Sequence, residues 1–165
     1  MAKNFSAAVR KAERYKVKAS IMIEGLTGNG KTGLALCIAY GLVKDWHKIG
    51  MVDTENKSAD LMVGQHLHIG IPCGDFFKID LTAEDGYAPL NYKAAEMALV
   101  DVGAECIIHD SSTHAWNREG GVLDLVNGVE SSSNRANKFA AWQAPEVIKN
   151  KDALFELLRS ADHHV

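Results

Sequence analysis

A short segment near the start of the chain has the residue types and the spacing needed to hold a polyphosphate. It follows the pattern G-x-x-x-x-G-K-T, and the predicted nucleotide-binding residues are Gly25, Leu26, Thr27, Gly28, Asn29, Gly30, Lys31, Thr32 and Gly33. Glycines in such a loop let backbone N–H groups approach phosphates closely. Lys31 then reaches the β- and γ-phosphates, and the Thr32 hydroxyl is a ligand of Mg²⁺. A helix that begins at Lys31 directs its positive end towards the same anions.

The segments on either side of this loop predict the strand–loop–helix order that the motif requires. Residues 19–24 have the apolar composition of a short buried strand, and residues 33–42 that of a largely apolar helix. A glycine-rich turn that matches the pattern by chance would not need such flanks. We therefore predict a phosphate-binding loop between a strand and a helix.

Acidic residues follow two further segments that are predicted to be strands. Residues 48–53 form the first and are followed closely by Glu55, and residues 105–110 form the second and end at Asp110. Ligands bind at the carboxyl ends of strands in open α/β sheets. Hydrolysis of a nucleoside triphosphate needs a metal ligand and a group that orients water, besides the phosphate loop. We therefore predict that Asp110 binds Mg²⁺ and that Glu55 and Lys31 are catalytic.

Simpler alternatives remain open for both acids. Asp110 at a strand end also suits a cap of the next turn, and Glu55 also suits an exposed turn carboxylate. Glu24 is a weaker candidate for orienting water. Charge stabilisation in the transition state needs an Arg or Lys; the candidates are Arg118 and Arg135, acting on a neighbouring subunit from a loop-like region.

Strands and helices alternate along the rest of the chain. This alternation predicts an α/β fold with a mainly parallel sheet and helices on both faces. The remaining predicted elements are helices at 6–15, 57–66, 89–102 and 145–158, a strand at 76–80, and a loop-like region at 116–140 with an optional short helix at 121–128.

Composition and charge restrict the class of protein. A length of 165 residues with 47% hydrophobic residues suits one globular domain. No apolar stretch approaches the ~18 residues of a membrane span, and the start of the chain lacks the pattern of a signal peptide. Three isolated cysteines fit a reducing compartment. We therefore expect a cytoplasmic protein without a membrane partner.

Basic residues are concentrated at the start of the chain. Residues 1–20 contain six Lys or Arg side chains and a single Glu, in a chain whose net charge is −3. We divide the chain into a basic helical arm at 1–17 and a core at 18–165. The arm suits either contact with phosphates or a solvated helix face. His66 and His68 share the spacing of strand neighbours but lack a third metal ligand, which favours ordinary histidines.

These motifs resemble those of the RecA-like P-loop ATPases. The resemblance is to the small phage-encoded nucleotide-binding branch related to single-strand-annealing recombinases, and it covers most of residues 18–165. The motifs on which this resemblance rests are the phosphate loop, Val52-Asp53-Thr54-Glu55, Ile107-Ile108-His109-Asp110, Thr113-His114-Ala115-Trp116, Gly120-Gly121-Val122-Leu123-Asp124 and Trp142.

The resemblance implies a fold, an activity and partners. The fold would be a three-layer P-loop NTPase, with Asp110 as the Walker-B acid and Glu55 as the catalytic glutamate. ATP and Mg²⁺ would be the cofactors, and a homo-oligomeric ring or filament would hydrolyse ATP at subunit interfaces. The implied work is DNA recombination or annealing on single-stranded DNA, in the cytoplasm of a host cell.

One departure from the family pattern concerns the end of the sequence. The family continues into a fifth core strand, whereas this chain stops at His163-His164-Val165. The resemblance therefore implies a core truncated at that strand, with weak hydrolysis in isolation. A nucleotide-gated interaction module without robust hydrolysis is the main alternative. A small nucleotide-kinase-type phosphotransferase is a further one, although its Arg-rich lid is not evident.

Overall fold

Three parallel strands form the centre of the fold. The computed structural model describes residues 6, 9–11, 18–55, 57–67, 70–132 and 138–159. Within them the strands are β1 (Ile49–Asp53), β2 (Phe77–Asp80) and β3 (Cys106–Asp110). The helices are α1 (Lys31–Val43), α2 (Pro89–Asp101), α3 (Thr113–Asn117), α4 (Val122–Ser132), α5 (Lys138–Ala141) and α6 (Pro145–Leu157). Short 3-10 turns occupy Trp46–Lys48 and Ser58–Met62.

The central strand of the sheet is β1. The strand order is β2-β1-β3, and β1 pairs in parallel with both neighbours. Every residue of β1 is buried, as expected for a parallel strand that has helices on both sides. The prediction of an α/β fold with a parallel sheet and flanking helices is therefore confirmed.

Helices α1 and α2 cover opposite faces of this sheet. Alternate side chains of a strand point to opposite faces, so β1 and β3 each contribute to two separate hydrophobic clusters. The cluster under α1 contains Leu36, Cys37, Ile49, Met51 and Cys106. The cluster under α2 contains Val52, Tyr92, Leu99, Ile107 and Ala115. These two helix layers hold the sheet from both sides, and with it the edge at which its strands end.

Two helices begin at prolines, as predicted. Pro89 is the first residue of α2 and Pro145 the first residue of α6, a position where the missing N–H of proline costs nothing. The predicted strands at 48–53, 76–80 and 105–110 agree with β1, β2 and β3 to within a residue at each end. The helix predicted at 57–66 is instead the shorter 3-10 turn Ser58–Met62.

The region 116–140 was predicted to be loop-like with an optional short helix at 121–128. The loop is wrong for the residues that the structure describes there, whereas the optional helix is present as the longer α4. Most of them belong to α3, α4 and α5. In α4, Val122 and Val126 lie one turn apart and are buried, whereas Asn127 and Gly128 are exposed. The polar and small residues that indicated a loop occupy the solvent side of an amphipathic helix.

The strand predicted at 19–24 is also wrong in this structure. Residues 18–26 have no regular secondary structure. A cavity of about 610 Å³ separates residues 20–25 from β3, and side chains of α1 and α6 line it. Met22 is 72% exposed and Ile21 is 45% exposed. An apolar segment becomes a strand only when its backbone pairs with a neighbour, and here the cavity lies between them.

Some sequence predictions fall outside the described residues. They concern most of the N-terminal arm and its helix, Arg135, His68 and the last residues of the chain. Cys37, Cys73 and Cys106 are free and buried. In the part of the chain that is described, no helix combines the length and the apolar character needed to cross a bilayer.

Candidate functional site: a glycine-rich loop beside an acidic strand end

The glycine-rich loop leads directly into α1. Gly28 and Gly30 have φ angles of 84° and 73°, values that side chains with a Cβ rarely adopt. Nothing lies within 4 Å of a Cβ added at either glycine, so backbone conformation rather than lack of space requires glycine. Gly30 precedes the first residue of α1 and offers no side chain to cap it. The first N–H groups of α1 therefore face the loop, where an anion is favoured.

The lysine of the motif lies over its own loop. Lys31 Nζ donates a hydrogen bond to the carbonyl oxygen of Leu26 at 3.1 Å. Gly25 lies under the same side chain, because a Cβ there would meet Lys31 Cγ and Cδ at 3.8 Å. The ammonium group thus lies above the backbone of the loop. Among the described contacts its one hydrogen-bond acceptor is this uncharged carbonyl oxygen. An arriving phosphate oxygen is a stronger, charged acceptor for it.

The threonine of the motif contacts the acid at the end of β3. Thr32 Oγ1 donates a hydrogen bond to Asp110 Oδ2 at 2.5 Å. Asp110 is 7% exposed, and the peptide bond that follows it is cis. The contact joins residues 78 positions apart. It brings together the two side chains that the sequence predicted as Mg²⁺ ligands.

Three carboxylates end the three strands at the same edge. The strand register pairs Asp53 with Asp80 on one side and with Asp110 on the other. Lys78 compensates part of this charge, with Nζ 2.5 Å from Asp80, 3.0 Å from Asp60 and 3.6 Å from Asp53. Burial acts to lower the pKa of Lys78, but the hydrogen bonds to Asp80 and Asp60 outweigh it and raise that pKa. The lysine therefore stays charged.

Lys78 was missed in the sequence analysis. Lys78 and Asp80 are two residues apart on one strand and so share a face of the sheet, which was the available signal. Asp53 has a structural role. Its carboxylate accepts hydrogen bonds from the N–H of Glu55 at 2.8 Å and from the N–H of Ala59 at 3.4 Å. These bonds shape the turn that carries Glu55.

The candidate water-orienting residue, Glu55, is exposed at the end of β1. It lies at the same sheet edge as Asp110, since Asp53 and Asp110 are partners in the register. Glu24 is exposed as well and lines the cavity beside β3. Arg118 is exposed just after α3. Loop, metal-ligand candidates and Glu55 therefore share one edge of the sheet.

The donor set of this edge suits a hard cation only together with a phosphate. No group of three or more His, Cys, Asp or Glu side chains forms a metal site among the residues described. A hydroxyl and one carboxylate are the protein ligands typical of Mg²⁺ bound through substrate phosphates. The chain matches no protein-family model, no curated protein and no solved structure.

Proposed function

We propose that this protein is a RecA-like P-loop ATPase that binds Mg²⁺–ATP at residues 25–33. The observation that carries this proposal is the 2.5 Å contact between Thr32 Oγ1 and Asp110 Oδ2. A glycine-rich turn that matched the motif by chance would have no reason to lie against the acid that ends a neighbouring strand. In a P-loop NTPase this threonine and this acid hold the same Mg²⁺ ion.

The residues present fit ATP and Mg²⁺. The loop is exposed, and Gly28 and Gly30 leave open space on their Cβ side, so phosphates can approach the backbone closely. Thr32 and Asp110 supply the oxygen ligands that Mg²⁺ prefers. When bound, Mg²⁺ would neutralise charge that develops on the β- and γ-phosphate oxygens.

Each remaining residue has a distinct role in the proposed reaction. Lys31 exchanges the carbonyl of Leu26 for phosphate oxygens and holds the γ-phosphate in place. The N–H groups at the start of α1 bind the polyphosphate through their partial positive charge. Glu55 orients and polarises the attacking water, for which its exposed carboxylate at the strand end is accessible.

The P-loop fold further requires a strand before the loop. We propose that residues 19–24 pair with the outer edge of β3 when nucleotide binds, as a fourth parallel strand. The open cavity between them, its apolar lining from α1 and α6, and the exposed Ile21 and Met22 support this. Slower amide hydrogen exchange at residues 20–24 with Mg²⁺–ATP is expected, and unchanged exchange would count against it.

Single-stranded DNA is the proposed partner, in recombination or annealing. Trp116 follows β3, is 39% exposed and stacks on Trp142 with ring centroids 6.0 Å apart. Exposed aromatic rings hold single-stranded bases by stacking, and the exposed Arg118 is two residues away. We also propose that the protein works as a homo-oligomer, in which the exposed Glu55 is accessible to a neighbouring copy.

ATP turnover with and without an oligothymidylate tests this function, with size-exclusion chromatography in parallel. Wild type is compared with Lys31→Ala and with Lys149→Ala, a matched change at an exposed lysine of α6. Turnover that rises with DNA and is lost only in Lys31→Ala is expected. ATP binding without turnover would favour the nucleotide-gated module, and phosphoryl transfer to a nucleoside monophosphate the kinase. Absence of ATP binding by wild type would overturn all three.

A further inference from the structure

The hydroxyl group of Thr54 joins the ends of two strands to a helix beyond them. Thr54 is 6% exposed and directly precedes Glu55. Its Oγ1 accepts from the N–H of Ser111 at 2.9 Å and lies 3.2 Å from the carbonyl oxygen of Asp110. The shortest of its contacts is to His114 Nδ1, at 2.7 Å. This hydroxyl therefore links both acidic strand ends to α3.

His114 lies between the candidate nucleotide site and the body of α3. Its ring is half-buried and packs against Tyr87, with ring centroids 5.3 Å apart. Burial lowers the pKa of His114, as does the charge of Arg118, while Glu55 and Asp110 act in the opposite direction. Two carboxylates of the candidate nucleotide site therefore act electrostatically on the imidazole of His114.

The same short helix carries Trp116 on its other side. Residues two apart on a helix point about 200° away from each other, so His114 faces the strand ends while Trp116 faces outwards. Trp116 stacks on Trp142, at an interplanar angle of 28°. Trp142 packs in turn on a separate hydrophobic cluster, formed by Val126, Ala141 and Val147. We call Trp116 and Trp142 the tryptophan pair.

The C-terminal end of α3 is seated closely on the chain that follows it. A Cβ added at Gly121 would lie 2.9–3.0 Å from the carbonyl oxygens of His114, Ala115 and Arg118. This close approach packs the end of α3 directly against the turn before α4. His114 and Trp116 belong to the same short helix, so a shift of α3 at His114 would move Trp116 with it.

We propose that His114 is a positioning residue that transmits nucleotide occupancy to the tryptophan pair. The inference rests on the proposed ATP site and goes beyond it by naming the route and the surface that responds. Binding of Mg²⁺–ATP at Thr32 and Asp110 changes the end of β3, the Thr54 hydroxyl passes this change to His114, and α3 moves the indole of Trp116 relative to Trp142.

Tryptophan emission tests this route without relying on turnover. The remaining tryptophan, Trp46, stacks on Tyr40 in the α1 layer, so Trp46→Phe removes its signal. In this background, Mg²⁺–ATP is added while emission is recorded, and ATP affinity is measured separately by calorimetry. We expect an emission change in this background that is lost when His114→Ala is added. The Kd for ATP should stay within about twofold of its original value, which is smaller than the ~5-fold change in affinity that typical allosteric coupling produces.

Three further variants separate coupling from folding. Thr54→Val removes the hydroxyl at nearly constant shape and should abolish the emission change as His114→Ala does. His114→Asn places a polar atom near the position of Nδ1 and should restore part of it. His47→Ala changes an exposed histidine in the turn Trp46–Lys48 and should leave the emission change intact. Circular dichroism spectra show whether each variant is folded.

The outcomes distinguish the two proposals. Failure of ATP to bind wild type would overturn the proposed function. Binding of ATP without a change in emission, or an emission change that survives in both His114→Ala and Thr54→Val, would overturn the role of His114 alone. Loss in both variants with partial recovery in His114→Asn would establish it.

Discussion

Thr32 and Asp110 share a hydrogen bond of 2.5 Å between Oγ1 and Oδ2, although 78 residues separate them in the sequence. The helix that follows the glycine-rich loop starts one residue before Thr32, and β3 ends at Asp110. The packing of α1 against β3 therefore brings the two proposed Mg²⁺ ligands together. This relationship makes Mg²⁺ dependence the most direct property to measure.

Thr32→Val and Asp110→Asn are expected to weaken binding of Mg²⁺–ATP at least about tenfold, equivalent to ~1.4 kcal/mol. Valine lacks the hydroxyl oxygen, and asparagine lacks the negative charge. Calorimetric titration with ATP in the presence and absence of Mg²⁺ measures the effect. Asp101→Asn, at an exposed acid that ends α2, is the control. Equal Mg²⁺ dependence in all four proteins would contradict the assignment.

Glu55→Gln is expected to reduce kcat by about 10²-fold or more, because a water-polarising carboxylate contributes on that scale. The Kd for ATP should change little, since the side chain is exposed and is not assigned to the phosphates. Single-turnover hydrolysis and equilibrium binding together measure both quantities. Glu84→Gln, at another exposed glutamate, should behave as wild type. If Glu55→Gln retains full turnover, water activation belongs to another group.

Gly50→Ala is expected to destabilise the protein by about 1–3 kcal/mol through overpacking. A Cβ there would meet Ile107 Cδ1 at 2.9 Å and Leu99 Cβ at 3.0 Å, between β1 and α2. Gly41→Ala is the matched change, because nothing lies within 4 Å of a Cβ at this position in α1. It should stabilise by about 0.5–1 kcal/mol through helix propensity. Urea denaturation of both variants checks the opposite signs.

Stability should depend on pH through His114. Burial and the charge of Arg118 place its folded-state pKa below the usual 6.5. As pH falls through 6.5 towards that lower value, the unfolded chain binds more protons than the folded one, so stability is lost in this window and is restored above it. Urea midpoints between pH 7.5 and 5.5 should fall more for wild type than for His114→Gln. His47→Gln should retain the wild-type slope, and equal slopes in all three would contradict this account.

Local patterns were sufficient to predict much of this protein. Apolar runs such as residues 105–110 predicted the three strands, and the prolines at the start of α2 and α6 predicted those two helices, because periodicity and capping are local properties. The predicted phosphate loop was recognisable for the same reason, because its glycines, Lys31 and Thr32 all lie within one short stretch of sequence. The alternation of elements then indicated a parallel α/β sheet.

Long-range packing decided the rest. A strand at residues 19–24 requires backbone pairing with β3, which lies more than 80 residues away in the sequence, and an apolar composition does not establish that pairing. The contact of Thr32 with Asp110 likewise exists because α1 packs against β3, and that of His114 with Thr54 because the sheet register aligns the ends of β1 and β3. The sequence by itself determined which residues are candidates for binding phosphate and metal. The tertiary structure alone decided which of them meet, because distances across a sheet are set by packing and not by spacing along the chain.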